Sequence, residues 1–265
     1  MGHSETHRLA MRMAQLTSWL EAQEGLVKER YEFHAPPRGC VHVTIDPGSV
    51  SPAASFNHNC ICLCGAAGGL SREGLVEILA LFTARGIDRL FAWLSPGPDQ
   101  AQVRTWLGSM SFVPVRWTRY PTMLLAEPPV PRPVAGFEIR QIYAAELAAV
   151  GAALGDVVME GFARTIGKPD FFHYVALDGQ RPIAVAALAQ FGELGYLTYA
   201  GTATSDRRRG AQTALIAHRV AVAKSLGCTH IVSRTLTMLE DSFANLTRCG
   251  FREIFEQEVY EFRRS

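Results

Sequence analysis

Leu194-Gly195-Tyr196-Leu197-Thr198-Tyr199-Ala200-Gly201-Thr202, followed by Ala203-Thr204-Ser205-Asp206 and by Arg207-Arg208-Arg209-Gly210-Ala211-Gln212-Thr213-Ala214-Leu215-Ile216, is the stretch whose reading decides the fold. Its first part reads as a strand over about Tyr196–Thr202. From near Arg208 the pattern turns helical. Leu215, Val222 and Leu226 fall on one side, with Ile216, Val220 and Ala223 beside them. Gly227 stops that helix as a C′ glycine does. A strand, a short turn and a helix thus meet at three arginines and a glycine. The first amides of a helix have no acceptor within it, and the helix dipole favours an anion there. Gly210 has no Cβ to hold a phosphate away from the backbone. Positive side chains at a helix N-terminus are otherwise unfavourable, by about 0.3–1 kcal/mol each. These residues fit an anion site or a solvated basic turn equally well.

Working outward, His230–Thr235 reads as a strand, Asp241–Arg248 as a short helix, and Ile254–Phe262 as a last strand after Gly250-Phe251. Upstream, strands are expected at Phe137–Arg140, Phe172–Leu177 and Pro182–Gln190, and helical segments between about Ala144 and Ile166. Asp178-Gly179 marks a hairpin turn. Pro182–Gln190 is apolar without alternation, which suggests burial on both faces.

Pro128, Pro129, Pro131 and Pro133 break the chain between two halves. They fix φ and remove backbone donors, so the segment reads as a stiff linker over residues 128–136. Domains are expected at 1–127 and 137–265. The back of the first half repeats the order of the second. A helix carrying Leu75, Leu79 and Phe82 ends at Gly86. A strand Arg89–Leu94, a helix Gln100–Gly108, Ser111-Phe112 and a strand Pro121–Ala126 follow. This order reads as a diverged internal duplication, with a mixed α/β or α+β sheet in each half.

The 265 residues carry a net charge of +1 and are 48% hydrophobic, enough for two cored domains without a basic field for nucleic acid or anionic membrane. No apolar run approaches the roughly 20 residues of a membrane span. The N-terminal residues do not read as a secretory signal. Cys60, Cys62 and Cys64 alternate, so a strand would point them to one face, and no Cys-x-x-Cys pair suggests zinc. Reduced thiols point to the cytoplasm. No metal is expected.

The segment Thr204–Ile216 resembles motif A of the GNAT acetyltransferase superfamily, Arg/Gln-x-x-Gly-x-Gly/Ala after a strand. Arg207 and Gly210 match, and Gln212 stands where Gly or Ala is usual. Asn245-Leu246-Thr247-Arg248-Cys249-Gly250-Phe251 resembles motif B, a helix bearing an Asn before a Gly-Phe turn. The resemblance covers about residues 137–262. The whole layout is similar to tandem GNAT proteins whose N-terminal copy is degenerate, since Gly65-Ala66-Ala67-Gly68-Gly69 lacks the arginine. It implies two tandem GNAT-like domains, each with a mostly antiparallel twisted sheet flanked by helices.

It further implies acetyl-coenzyme A as cosubstrate. Amides of Arg208, Arg209, Gly210, Ala211, Gln212 and Thr213 would hold the diphosphate, with the Arg207 and Arg209 side chains assisting. Ala200, Gly201 and Thr202 would pair with the pantetheine arm, one amide polarising the thioester carbonyl. Asn245 and Ser242 would contact the coenzyme from the other side. Many members carry a Tyr four residues before the Gly of Gly-Phe; here that residue is Leu246. Glu193, Tyr196, Tyr199, Asp206 and Tyr260 are the candidate substitutes as general acid, unranked. The expected activity is acetyl transfer to a primary amine on a small molecule or peptide. An inactive coenzyme A sensor or scaffold is the alternative, and another phosphate ligand or an acidic protein at the arginine turn is a third reading. The acceptor stays unidentified, and association into a homodimer stays open.

Overall fold

The structure is a computed structural model describing residues 3–24, 29–35, 39–45, 59–64, 71–97, 100–117, 119–126, 136–158 and 160–264. In chain order its elements are α1 (His3–Glu24), β1 (Glu29–Ala35), β2 (Gly39–Ile45), β3 (Cys60–Cys64), α2 (Arg72–Ala84), β4 (Arg89–Leu94), α3 (Gln100–Ser109), β5 (Val113–Pro114), β6 (Tyr120–Leu125) and β7 (Glu138–Ile142). Then come α4 (Leu147–Leu154), α5 (Glu160–Thr165), β8 (Phe171–Asp178), β9 (Arg181–Phe191), β10 (Leu194–Thr202), α6 (Ala211–Ser225), β11 (His230–Arg234), α7 (Glu240–Arg248) and β12 (Phe251–Arg263). The proline linker, apart from Gly136, and the Gly65–Gly69 stretch lie outside the described residues.

Contacts divide the chain into two compact units, Met1–Pro121 with Phe255–Ser265, and Thr122–Ile254. Each unit therefore takes its last strand from the opposite half of the sequence. In the first unit β12 pairs antiparallel with β4, from Glu258↔Leu94 to Arg263↔Arg89. In the second, β6 pairs antiparallel with β11 through Thr122–Leu124. The division by contacts is thus not the linear one expected at the proline run. The cause is local: a strand is stabilised by whichever ladder pairs its backbone groups, regardless of its place in the sequence.

In the first unit β1–β2–β3 run antiparallel, and β3 pairs parallel with β4. Leu75, Ile78 and Phe82 of α2 and Val103 and Leu107 of α3 pack on Ile61, Leu90, Ala92 and Leu94. The repeated element order is present: Gly86 after α2 and Gly227 after α6 both have positive φ, as do Ser111 and Gly250 before each Phe.

In the second unit β7–β8–β9–β10 form an antiparallel meander, and β10 pairs parallel with β11. One face of this sheet is covered by α6 through Leu215, Ile216, Val220 and Ala223. The other is covered by α4 and α5 through Val150, Leu154 and Phe162. Ile183–Ala189 of β9 is buried throughout, as its unbroken apolar run predicts. α6 lies close to the sheet at β10. At Gly195 a Cβ would meet Ala223 Cβ at 2.9 Å and Cys228 Sγ at 3.4 Å. We expect Gly195→Ala to lower stability by about 1–3 kcal/mol through overpacking, read as an earlier urea midpoint with an unchanged slope.

Candidate functional site

The site is built where β10 parts from β11. The two strands are paired up to Leu197↔Ser233, and the Ser233 hydroxyl donates to Leu197 O at 2.9 Å. Between Thr198 and Gly201 the register with β9 shifts in a bulge, with Tyr199 at φ +46°. A short 3-10 turn, Thr204–Asp206, follows β10. Arg208 then adopts φ +62° and Gly210 φ +92°, so the helix begins at Ala211 and not near Arg208 as its composition suggests. Left-handed residues before a helix turn successive amides outward as an anion-binding concavity.

Asp206 holds this turn. Its side chain is buried and accepts from Arg181 Nη1 and Nη2, both at 2.7 Å, from Arg209 Nη1 at 2.7 Å and from Ser205 Oγ at 2.9 Å. Arg209 also donates to Asp178 at 2.9 Å and lies 5.3 Å over the Phe137 ring. The Arg181 hydrogen bonds, ahead of those from Ser205 and Arg209, hold the Asp206 carboxyl well below the usual carboxylate range despite its burial.

A cavity of about 700 Å³ opens beside the turn, within the second unit. Of the residues singled out by sequence, Ala200, Gly201, Thr202, Arg207, Arg208, Gly210, Ala211, Gln212, Thr213, Ser242 and Asn245 all line it. Arg209 does not; its guanidinium is committed to Asp206 and Asp178. Arg207 and Arg208 are exposed, and neither forms an ion pair among the described residues. Gln212 turns its amide onto the strand end, with Nε2 2.8 Å from Gly201 O and 3.0 Å from Thr202 Oγ1. Its bulk therefore lies along β10, away from the helix amides. Asn245 Oδ1 accepts from Arg248 at 2.6 Å.

Sequence reasoning missed Arg219. It is 2% exposed, yet it lines the cavity. Nε donates to Leu215 O at 3.1 Å, and Nη1 to Ala187 O at 2.9 Å and Thr198 O at 3.2 Å. No carboxylate pairs with it among the described residues, and burial pulls its pKa down to about 9. Its spacing was a signal: Leu215, Arg219 and Ala223 form one i, i+4 stripe, so a charge sits on the core face of α6. Leu246 is buried and lines the cavity. Of the five substitute acids, only Asp206 reaches the cavity, and it is held ionised. Glu193 is exposed in the β9–β10 turn, Tyr199 packs on the α4 side of the sheet, and Tyr196 is buried in β10. Tyr260 belongs to the first unit, where its hydroxyl donates to Glu258 and burial pushes its pKa up to about 12. His218 of α6 is half-buried against Tyr174, ring centroids 4.7 Å apart. No group of three metal-ligating side chains occurs among the described residues, and no helix there is long and apolar enough to cross a membrane.

No family model and no curated protein matches this sequence. Solved structures do match. A GCN5-related N-acetyltransferase from Kribbella flavida superposes with a TM-score of 0.64 at 18% identity, over 94% of this chain and 95% of that one. A GCN5-related N-acetyltransferase from Sphaerobacter thermophilus gives 0.59 at 14%, over 85% and 76%. A tandem GNAT protein from the clavulanic acid biosynthesis pathway gives 0.61 at 10%, over 85% and 79%. The chain thus has the mixed α/β fold of GNAT acetyltransferase structures, including a tandem one.

The buried carboxylate sets an acid limit. A carboxyl whose pKa is lower in the folded chain adds stability that is fully present above its unfolded pKa of about 3.9. That stability is lost as the pH falls toward the folded value. Asp206→Asn should be less stable than wild type at pH 7, and the gap should narrow as urea unfolding is followed from pH 5 to pH 2. A constant gap across that range would show that the charge of Asp206 does not carry the effect.

Proposed function

We propose that this chain is an N-acetyltransferase that moves the acetyl group of acetyl-coenzyme A to a primary amine of a small molecule or peptide in the cytoplasm. One observation carries the reading. Two guanidinium groups without carboxylate partners among the described residues, Arg207 and Arg208, stand at the left-handed turn that opens α6, on a cavity reaching the parting of β10 and β11. Backbone amides from Arg208 to Thr213 with these side chains suit a diphosphate. Gly210 leaves the approach open, having no Cβ. Ala200, Gly201 and Thr202 lie in and just after the bulge, where β10 has left β11, and line the cavity along which an extended arm would run. Ser242 and Asn245 on α7 would close the other side. The Arg209 side chain takes no part in this contact and keeps the turn in shape.

Bound there, the coenzyme supplies a thioester whose acyl carbon accepts the amine nitrogen as the carbon–sulfur bond breaks, the sulfur taking up the proton that the amine gives up. The chain's contribution is orientation and polarisation. An amide at the bulge can donate to the thioester carbonyl. Leu246 keeps the neighbourhood apolar and supplies no proton. Leu246 also favours a second reading, a coenzyme A sensor or scaffold without turnover. Release of free thiol with any amine excludes that one.

Thermal unfolding with acetyl-coenzyme A tests the proposal. At 100 times its dissociation constant a ligand adds about 2.7 kcal/mol, a rise of roughly 5–10 °C at this size. We expect that shift in the wild type and its loss in Arg207→Glu, whose own melting temperature should stay within about 2 °C of wild type because the site is exposed and unpaired. No shift at millimolar coenzyme overturns the proposal.

A further inference from the structure

The coenzyme reading accounts for the exposed lining of the cavity and leaves unexplained its closed end, where the lining residues Leu197, Arg219 and Ser233 are buried. That end lies where Leu197 and Ser233, the last paired residues of β10 and β11, are joined by the serine hydroxyl. Arg219 sits there: its Nη1 bonds Thr198 O, the first residue of the bulge, and Ala187 O, its partner on β9. Nη2 donates to no described atom, yet it is not among the partnerless atoms sealed from solvent. Since the side chain lines the cavity, its remaining exposure faces that space. Of the acidic lining residues, Asp206 is taken by Arg181 and Arg209, Glu240 and Asp241 are exposed in the first turn of α7, and none of the three pairs with Arg219.

A buried cation is costly unless an anion or a full set of acceptors meets it. Three carbonyls meet Nε and Nη1. The charge itself has no counter-ion among the described residues. Arg219 also lies eight residues into α6, about 12 Å along the helix from its first turn. The cavity thus presents exposed positive charge at Arg207, Arg208 and Arg248 and, apart from these, buried positive charge at Arg219. Acetyl is neutral and gives the buried charge nothing to meet.

We propose that Arg219 is a specificity-determining residue: the closed end takes a carboxylate, so that monoacyl thioesters of dicarboxylic acids bind this chain more tightly than acetyl-coenzyme A does. This rests on the coenzyme reading above and extends its donor class. The planar guanidinium can give the carboxylate a charge-assisted hydrogen bond from Nη2. A single such bond in a low-dielectric site is worth about tenfold or more in affinity.

The test compares dissociation constants, from thermal-shift titration and calorimetry, for coenzyme A, acetyl-, malonyl- and succinyl-coenzyme A. The full-length wild type is set beside Arg219→Lys and Arg219→Gln. We expect malonyl- or succinyl-coenzyme A to bind the wild type at least about tenfold more tightly than acetyl-coenzyme A. Lys should keep part of that preference and Gln should abolish it while still binding coenzyme A. Equal or tighter binding of acetyl-coenzyme A by the wild type overturns this inference and leaves the coenzyme reading standing, and it needs no variant to fold. A preference that survives in Arg219→Gln overturns it as well, because the carboxylate would then be read elsewhere. Binding of none of the four overturns the coenzyme reading itself.

Discussion

The clasp around Asp206 is the constraint on which the site depends. A buried carboxylate at the end of β10 receives Arg181 from the start of β9 and Arg209 from the turn, with Ser205 beside it. Buried charge survives only when each oxygen is met by donors. Here four hydrogen bonds meet two oxygens. The consequence reaches the three arginines. With Arg209 drawn back onto Asp206 and Asp178, the chain must turn through left-handed Arg208 and Gly210 before α6 can begin. That turn leaves Arg207 and Arg208 pointing at the cavity with no acidic partner of their own. Neutralising one arginine internally is what sets apart the two available to a ligand.

Much of the fold could be read from the sequence because it rests on periodicity. The apolar run of β9, the stripe of α6 and the glycines that stop α2 and α6 each state a local preference that tertiary packing did not override. The early strands were harder. β1, Glu29–Ala35, mixes charges with aromatics, and its place comes from pairing with β2. α1 carried a usable pattern in Leu9, Met13, Leu16 and Leu20, all buried, but polar residues interleave it. Pairing partners for the last strand of each half could not be read at all. A ladder depends on which edge is vacant in space, and no local pattern records that.

The site was legible to a similar depth. Residues tied to the strand–turn–helix unit came together, because a motif fixed by backbone geometry carries its neighbours with it. Arg209 was indistinguishable from Arg207 and Arg208 as a letter in a run, and only its distance to Asp206 and Asp178 separates them. The candidate acids were chosen by residue type near the motif, and type says little about direction. Tyr199 follows the sheet to the α4 side, and Tyr260 sits on a strand that belongs to the first unit.

Arg219 joins packing to chemistry. Thr198 is the last residue of β10 paired with β9 before the bulge, and Arg219 of α6 reaches its carbonyl from above. An apolar residue at 219 would fill that space yet leave Thr198 O without the donor it has now, and an unpaired buried carbonyl costs about 1–3 kcal/mol. A lysine is a single point charge on a flexible stem and cannot span Leu215, Ala187 and Thr198 at once. Arginine can, since Nε reaches back along its own helix while Nη1 reaches two strands. The same fork that satisfies those carbonyls necessarily brings Nη2 with it. The structural demand of the bulge thus places one unspent donor and one uncompensated charge at the closed end of the cavity.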